Sequence, residues 1–181
     1  MRIFPLLAPR CQLALFHFLN NFRNELVWCY TRMSAKGQRQ FSRAHDTILW
    51  YSVGDSWTFN ADNVRLPYAA GSKAREGHTL NRLGSGYSKE GVTKLNPKGK
   101  FPEDWIRHIP YLRGKERVGY PTQKPLALLE RIIKASSDED DIVFDPFCGY
   151  ATACVAAEKL NRQWVGIDLP PKAVELVAMR T

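Results

Sequence analysis

The longest helical pattern in the chain covers residues 125–136, where Leu126, Leu128, Leu129, Ile132 and Ile133 recur at the spacing of one helical face. Pro125 suits the start of that helix, because an N–H at the first helical position would have no partner. Residues 25–31 (ELVWCYT) and 47–52 (TILWYS) are short runs of β-branched and aromatic residues and predict strands. Their near-continuous apolarity predicts a sheet covered on both faces. The basic segment 32–43 between them reads as a loop, and residues 12–20 as a short buried helix.

Toward the C-terminus the pattern alternates cleanly. Residues 141–145 (DIVFD) predict a strand ending in an acid, followed by the small-residue loop Pro146-Phe-Cys-Gly-Tyr-Ala-Thr152 and a helix to Leu160. Residues 164–168 (WVGID) predict a second strand with a terminal acid, and Pro171 opens a helix toward Met179. Between these halves, residues 54–119 lose all periodicity. They are rich in Gly, Pro, Lys, Arg, Ser and Asn with isolated aromatics, and read as an insertion without a conventional core.

Composition narrows the class. The chain has 181 residues, 44% hydrophobic and 24% charged, which fits one globular domain and excludes collagenous, coiled-coil and fully disordered chains. The apolar N-terminal stretch is broken by Pro5, Pro9 and Arg10, so it predicts neither a membrane span nor a signal peptide. Cys11, Cys29, Cys148 and Cys154 form no C-x-x-C pair, which points to a reducing, cytoplasmic setting without disulfides or a zinc site. The net charge of +8 is unevenly spread. Residues 1–60 carry 7 basic and 3 acidic side chains, 61–120 carry 12 and 6, and 121–181 carry 7 and 9. The excess in the first two thirds suits a polyanionic partner such as nucleic acid, and equally a merely soluble surface.

A small-residue loop between strand and helix lets backbone approach a ligand, and an acid at the next strand's end can accept hydrogen bonds from ribose hydroxyls. Asp145, Gly149 and Asp168 have that arrangement, and an ordinary glycine turn would look the same. The loop carries one glycine where a dinucleotide asks for G-x-G-x-x-G, which disfavours a nicotinamide cofactor. A phosphate-free nucleoside with cationic groups, such as S-adenosylmethionine, suits Asp145 better.

These segments resemble the amino-group DNA methyltransferases of the permuted (beta) class, which place the catalytic half before the cofactor half. Tyr120-Pro-Thr-Gln-Lys-Pro125 and the helix LALLERIIKAS look like the motif in which Thr122 and Lys124 hold the methionine carboxylate. Asp145-Pro-Phe-Cys-Gly149 looks like the S-adenosylmethionine loop, and Val165-Gly-Ile-Asp168 like the ribose-binding strand end. Asn21-Phe-Arg-Asn-Glu25 before Trp28, and His45-Asp-Thr-Ile-Leu49 before Tyr51, complete five blocks in family order. The resemblance implies an α/β, partial Rossmann-like S-adenosylmethionine-dependent methyltransferase fold with a basic irregular insertion. It divides the chain into a remnant of the catalytic half (1–53), a target-recognition insertion (54–119) and a cofactor-binding part (120–181). It implies S-adenosylmethionine contacts from Thr122, Lys124, Asp145, Phe147, Cys148, Gly149, Ala151, Thr152 and Asp168, double-stranded DNA as partner, and a possible cognate restriction nuclease.

Two departures matter. The family's loop continues Gly-Ser-Gly-Thr-Thr, whereas this one reads Gly149-Tyr-Ala-Thr-Ala153; Ala151 is tolerated at negative φ and strained at positive φ. The family orients the target amine with Asp/Asn/Ser-Pro-Pro-aromatic, and no such tetrapeptide occurs here: Pro170-Pro171 follows Leu169 and precedes Lys172. The chain therefore reads as a fragment truncated at both ends, inactive alone. The opposing readings are a non-catalytic DNA-binding remnant with a vestigial cofactor loop and a different nucleotide-binding α/β enzyme. Cys148 reads as a packing residue rather than a nucleophile, and His45 as structural, since nothing completes a triad or a metal set. Trp28, Trp50, Tyr51 and Trp164 read as core; Trp57, Phe59, Tyr87 and Trp105 are base-stacking candidates that also suit local packing.

Overall fold

A computed structural model describes residues 21–31, 39, 41–78, 92–117 and 123–169. The chain divides into two units, one formed by residues 1–60 and 103–181, the other by 61–102. The expected helices at 12–20 and after Pro171, together with Tyr120, Pro121, Thr122 and Tyr87, lie outside the described residues.

In the first unit, β1 (Phe22–Cys29) and β2 (His45–Tyr51) pair antiparallel, with Phe22 opposite Tyr51 and Cys29 opposite His45. Both strands start earlier than the apolar runs at 25–31 and 47–52, because the ladder recruits polar flanking residues. The two-residue β3 (Trp105–Ile106) adds to β1 in parallel, giving the order β2-β1-β3. The described residues 103–117 group with this unit. The expectation of full coverage on both faces is corrected: in β1 only Trp28 is buried, and Phe22 is half exposed. Aromatic and β-branched composition here reflects strand preference more than burial.

A second, parallel pair joins β4 (Ile142–Asp145) to β5 (Gln163–Gly166), connected through α3 (Thr152–Lys159). Val143 and Trp164 pack inward, while Ile142, Phe144 and Val165 stay substantially exposed. The helix α2 (Leu126–Ser136) serves both sheets. Its apolar positions span an arc of about 160° at 3.6 residues per turn, wide enough for two contacts. Leu128 and Ile132 join Trp28, Tyr30, Ile106 and Ile109, whereas Leu126 and Ile133 join Ala156, Ala157, Val143 and Trp164; Leu129 touches both clusters. Pro125 is the N-cap rather than the first helical residue, and Glu116 accepts the Leu126 N–H at 2.7 Å. The buried Arg162 closes the other end, donating to the carbonyls of Ser137 and Leu160, where a cation offsets the helix dipoles.

The second unit contains the 3₁₀ turn Ala61–Val64 and the short α1 (Ala70–Lys73), and an antiparallel bridge pairs Leu66 with Lys100. Asp62 binds both Arg65 (2.7 Å) and Lys98 (2.5 Å), and these partners hold its carboxyl below the usual aspartate range. Turns and ion pairs order this segment, with Val64 its buried apolar residue among those described.

Candidate cofactor loop

β4 delivers Asp145 to the sheet's end, and the chain turns through 146–150 into α3. Every early N–H of this turn is taken. Phe147 donates to Asp145 Oδ1 at 3.1 Å, Cys148 to the Ile167 carbonyl at 2.9 Å, and Gly149 to Asp168 Oδ2. Ile167 returns a bond to the Asp145 carbonyl at 2.9 Å, and Leu169 donates to Asp168 Oδ1 at 2.7 Å. Asp168, expected as the terminal residue of a strand, lies two residues beyond the end of β5, where its carboxylate ties the loop shut.

This stitching decides what the loop can hold. Phosphate recognition needs several converging N–H donors, and those of Phe147, Cys148 and Gly149 are spent internally. Carboxylate oxygens each accept more than one hydrogen bond, so Asp145 and Asp168 keep capacity for hydroxyl or ammonium donors. Burial raises the Asp145 carboxyl above the usual aspartate range; the Phe147 N–H opposes the shift and the Asp168 charge adds to it. A cation is the natural counterpart of two close carboxylates, one of them partly desolvated.

Gly149 sits at φ 51° and Ala151 at φ 55°, ψ 30°, so the strained branch applies to Ala151. An L-residue in the left-handed region costs about 1–2 kcal/mol. Ala151 is fully buried, and its methyl returns roughly 0.8 kcal/mol, while glycine would add about 0.4–1 kcal/mol of unfolded-state entropy. The terms nearly cancel, which explains how alanine stands at this position. Ala151→Gly is expected to change stability by less than about 1 kcal/mol, whereas Ala151→Val, branched at Cβ, should cost about 2 kcal/mol or more; urea denaturation measures both.

Thr152 opens α3 and is almost fully buried, so Ala151 and Thr152 support the loop from beneath, while Phe147 is 63% exposed at its rim. Cys148 and Cys154 pack on Gly166, where an added Cβ would lie 3.1 and 2.8 Å from their sulfurs. Burial, reinforced by the Asp145 charge, raises the Cys148 thiol, and burial pushes Cys154 up to about 12. Such thiols are poor nucleophiles, in keeping with packing.

Lys124 extends from the residue before the α2 cap to Asp46 Oδ2 at 3.1 Å. Asp46 escaped the sequence reading; its only signal was its place in the His45–Leu49 block. His45 is exposed at the start of β2. Of the stacking candidates, Trp57 lies under the Arg23 guanidinium (3.8 Å), Phe59 against Trp50 (5.3 Å) and Trp105 beside Arg107 (4.7 Å), all local contacts. A cavity of about 400 Å³ is lined by Trp50, Trp57, Ile133, Ile142 and Phe144 and by no residue of the 145–151 loop. Among the described residues, no three His, Cys, Asp or Glu gather as a metal set, and no helix is long and apolar enough to cross a membrane.

Comparison with known proteins gives this geometry a family. Type II methyltransferase M1.MboII of Moraxella bovis is 35% identical over 157 residues, covering 82% of this chain and 58% of that protein. Type II methyltransferase M.HpaI of Haemophilus parainfluenzae is 35% identical over 162 residues, covering 88% and 45%. The chain spans about half the length of the curated relatives it matches. Among solved structures, the M1.HpyAVI–SAM complex superposes with a TM-score of 0.63 at 23% identity, over 96% of this chain and 71% of that one. The cytosine-N4-specific PvuII DNA methyltransferase gives 0.64 at 17% identity, over 96% and 57%. These two likenesses show the α/β methyltransferase fold. A family model described as DNA methylase matches residues 4–179, and the chain belongs to the N6/N4 DNA methylase family.

Proposed function

We propose that this chain is the cofactor-binding and DNA-facing part of a permuted-class DNA methyltransferase that modifies the exocyclic amine of adenine (N6) or cytosine (N4). The observation that carries the reading is the stitched 145–151 loop, in which the Phe147, Cys148 and Gly149 N–H groups are consumed while Asp145 and the neighbouring Asp168 remain as acceptors. When bound, S-adenosylmethionine supplies a methyl group on a sulfonium. Asp168 accepts from the ribose hydroxyls, Asp145 faces the cationic amino-acid end, and Thr122 and Lys124 take the methionine carboxylate. Phe147 offers an apolar surface, Gly149 permits close approach, and Cys148, Ala151 and Thr152 shape the loop from behind.

Asp145 makes this binding pH-dependent. Its carboxyl is raised in the free protein, and a cationic ligand favours the ionised form, so binding releases a proton wherever Asp145 is protonated. Affinity should be full where Asp145 is ionised and fall as the pH is lowered through its raised carboxyl range. Calorimetry in buffers of different ionisation heat checks both the trend and the proton release.

DNA contact falls to the basic region. Residues 61–102 carry eight basic and three acidic side chains. Arg65 and Lys98 are engaged by Asp62, which leaves more of the phosphate contact to the other cations. The 181 residues contain no Asp/Asn/Ser-Pro-Pro-aromatic tetrapeptide to orient a flipped amine, so the chain by itself binds without transferring. A cognate restriction nuclease would be the companion activity, as the type II relatives suggest, and the cytoplasm the compartment. Filter binding to duplex DNA at two salt concentrations, followed by incubation with methyl-labelled cofactor, tests this reading. Salt-weakened binding with unlabelled DNA is expected. Label in the DNA contradicts the assigned inactivity, and absence of DNA binding by a folded chain contradicts the assigned partner.

A further inference from the structure

We propose that Asp46 is a positioning residue that aims the Lys124 ammonium at the carboxylate of the cofactor's amino-acid end; the proposal rests on the cofactor reading above. Asp46 is the second residue of β2, and its side chain is only 13% exposed. Its two oxygens have separate tasks. Oδ1 accepts from the Tyr30 hydroxyl at 3.2 Å and from Arg43 at 3.3 Å, which fixes the plane of the carboxylate; Oδ2 then meets Lys124 Nζ at 3.1 Å. The Trp28 ring stands 5.8 Å from the same ammonium. Hydrogen bonds to Glu116 anchor the lysine's own segment: the Gln123 side-chain amide donates to the Glu116 carbonyl at 2.7 Å, and the Leu126 N–H to Glu116 Oε1 at 2.7 Å.

A lysine stem is otherwise one of the most mobile side chains, and fixing it in advance removes entropy that ligand binding would have to supply. An ammonium carries three N–H groups, of which Asp46 takes one. Arg43, Lys124 and Asp46 together still sum to one positive charge, so an anionic oxygen is still attracted. The pair also joins the β1–β2 hairpin to the entrance of α2, so the hairpin's position bears on cofactor affinity.

The test compares two ligands on the full chain by calorimetry: S-adenosylmethionine, and methylthioadenosine, a thioether nucleoside that has no carboxylate. The wild type should prefer S-adenosylmethionine. Lys124→Ala should weaken it by roughly tenfold, as for a lost hydrogen bond to a charged group, and Asp46→Asn by about fivefold, short of that complete loss. Neither substitution should alter methylthioadenosine binding, and the double variant should be no worse than Lys124→Ala, since the two act as one unit. Asp46→Asn that leaves both affinities unchanged, or lowers both equally, overturns the positioning role. A wild type that binds neither ligand removes the cofactor reading itself, and one that binds both equally removes Lys124 from it.

Discussion

Asp168→Ala is expected to abolish S-adenosylmethionine binding by calorimetry while leaving DNA binding intact. The substitution removes two things together. The acceptors proposed for the ribose hydroxyls disappear, and the Gly149 and Leu169 N–H groups lose the carboxylate that closes the loop. Hydrogen bonds to a charged group contribute about 1.5–3 kcal/mol each, so losing two should weaken binding by at least about 100-fold. The fold should persist, because Asp168 lies past the end of β5 and outside both hydrophobic clusters. Asp168 raises the Asp145 carboxyl, so its removal should also let Asp145 ionise at lower pH. Wild-type affinity in the variant would contradict the site; parallel loss of cofactor and DNA binding would point to unfolding.

Trp28→Ala should be the most damaging core substitution. Trp28 has no exposed surface, donates its indole N–H to the Ile109 carbonyl at 2.8 Å, and packs on Tyr30 and Tyr111 at 4.7 and 6.1 Å between ring centres. Truncating a buried tryptophan costs about 3–5 kcal/mol, and the orphaned Ile109 carbonyl adds to it. Domains are stable by only about 5–15 kcal/mol, so the variant should lose a large share of its stability. Trp28→Phe retains most of the packing and should lose about 1–2 kcal/mol. Urea denaturation separates packing from the hydrogen bond: a Trp28→Phe midpoint equal to that of the wild type would show that the indole N–H contributes nothing, and equal midpoints for the two variants would show the same of the ring packing.

The elements that were legible in the sequence are those whose signals are local. The helical spacing of Leu126 to Ile133, the acid-ended strand before Gly149 and the second acid at Asp168 all lie within short stretches, and the structure places them in α2, in β4 and its loop, and just past β5. What stayed hidden depends on partners distant in the chain. β3 has two residues, too few for any periodicity, and exists because it pairs with β1. Arg162 carries no local signal, and its place is set by the Ser137 and Leu160 carbonyls to which it donates. Asp46 and Lys124 meet across 78 positions of sequence, and no spacing rule reaches that far. The strain at Ala151 was foreseeable as an alternative, but only the backbone angle decides it.

The 145–151 loop and Asp168 are proposed here as a site for a cationic, phosphate-free nucleoside. Calorimetric titration of the folded chain with S-adenosylmethionine, with a nicotinamide dinucleotide as control, tests it most directly. Saturable binding of S-adenosylmethionine and none of the dinucleotide is expected. Binding of the dinucleotide, or of neither ligand by a chain shown to be folded, would contradict it.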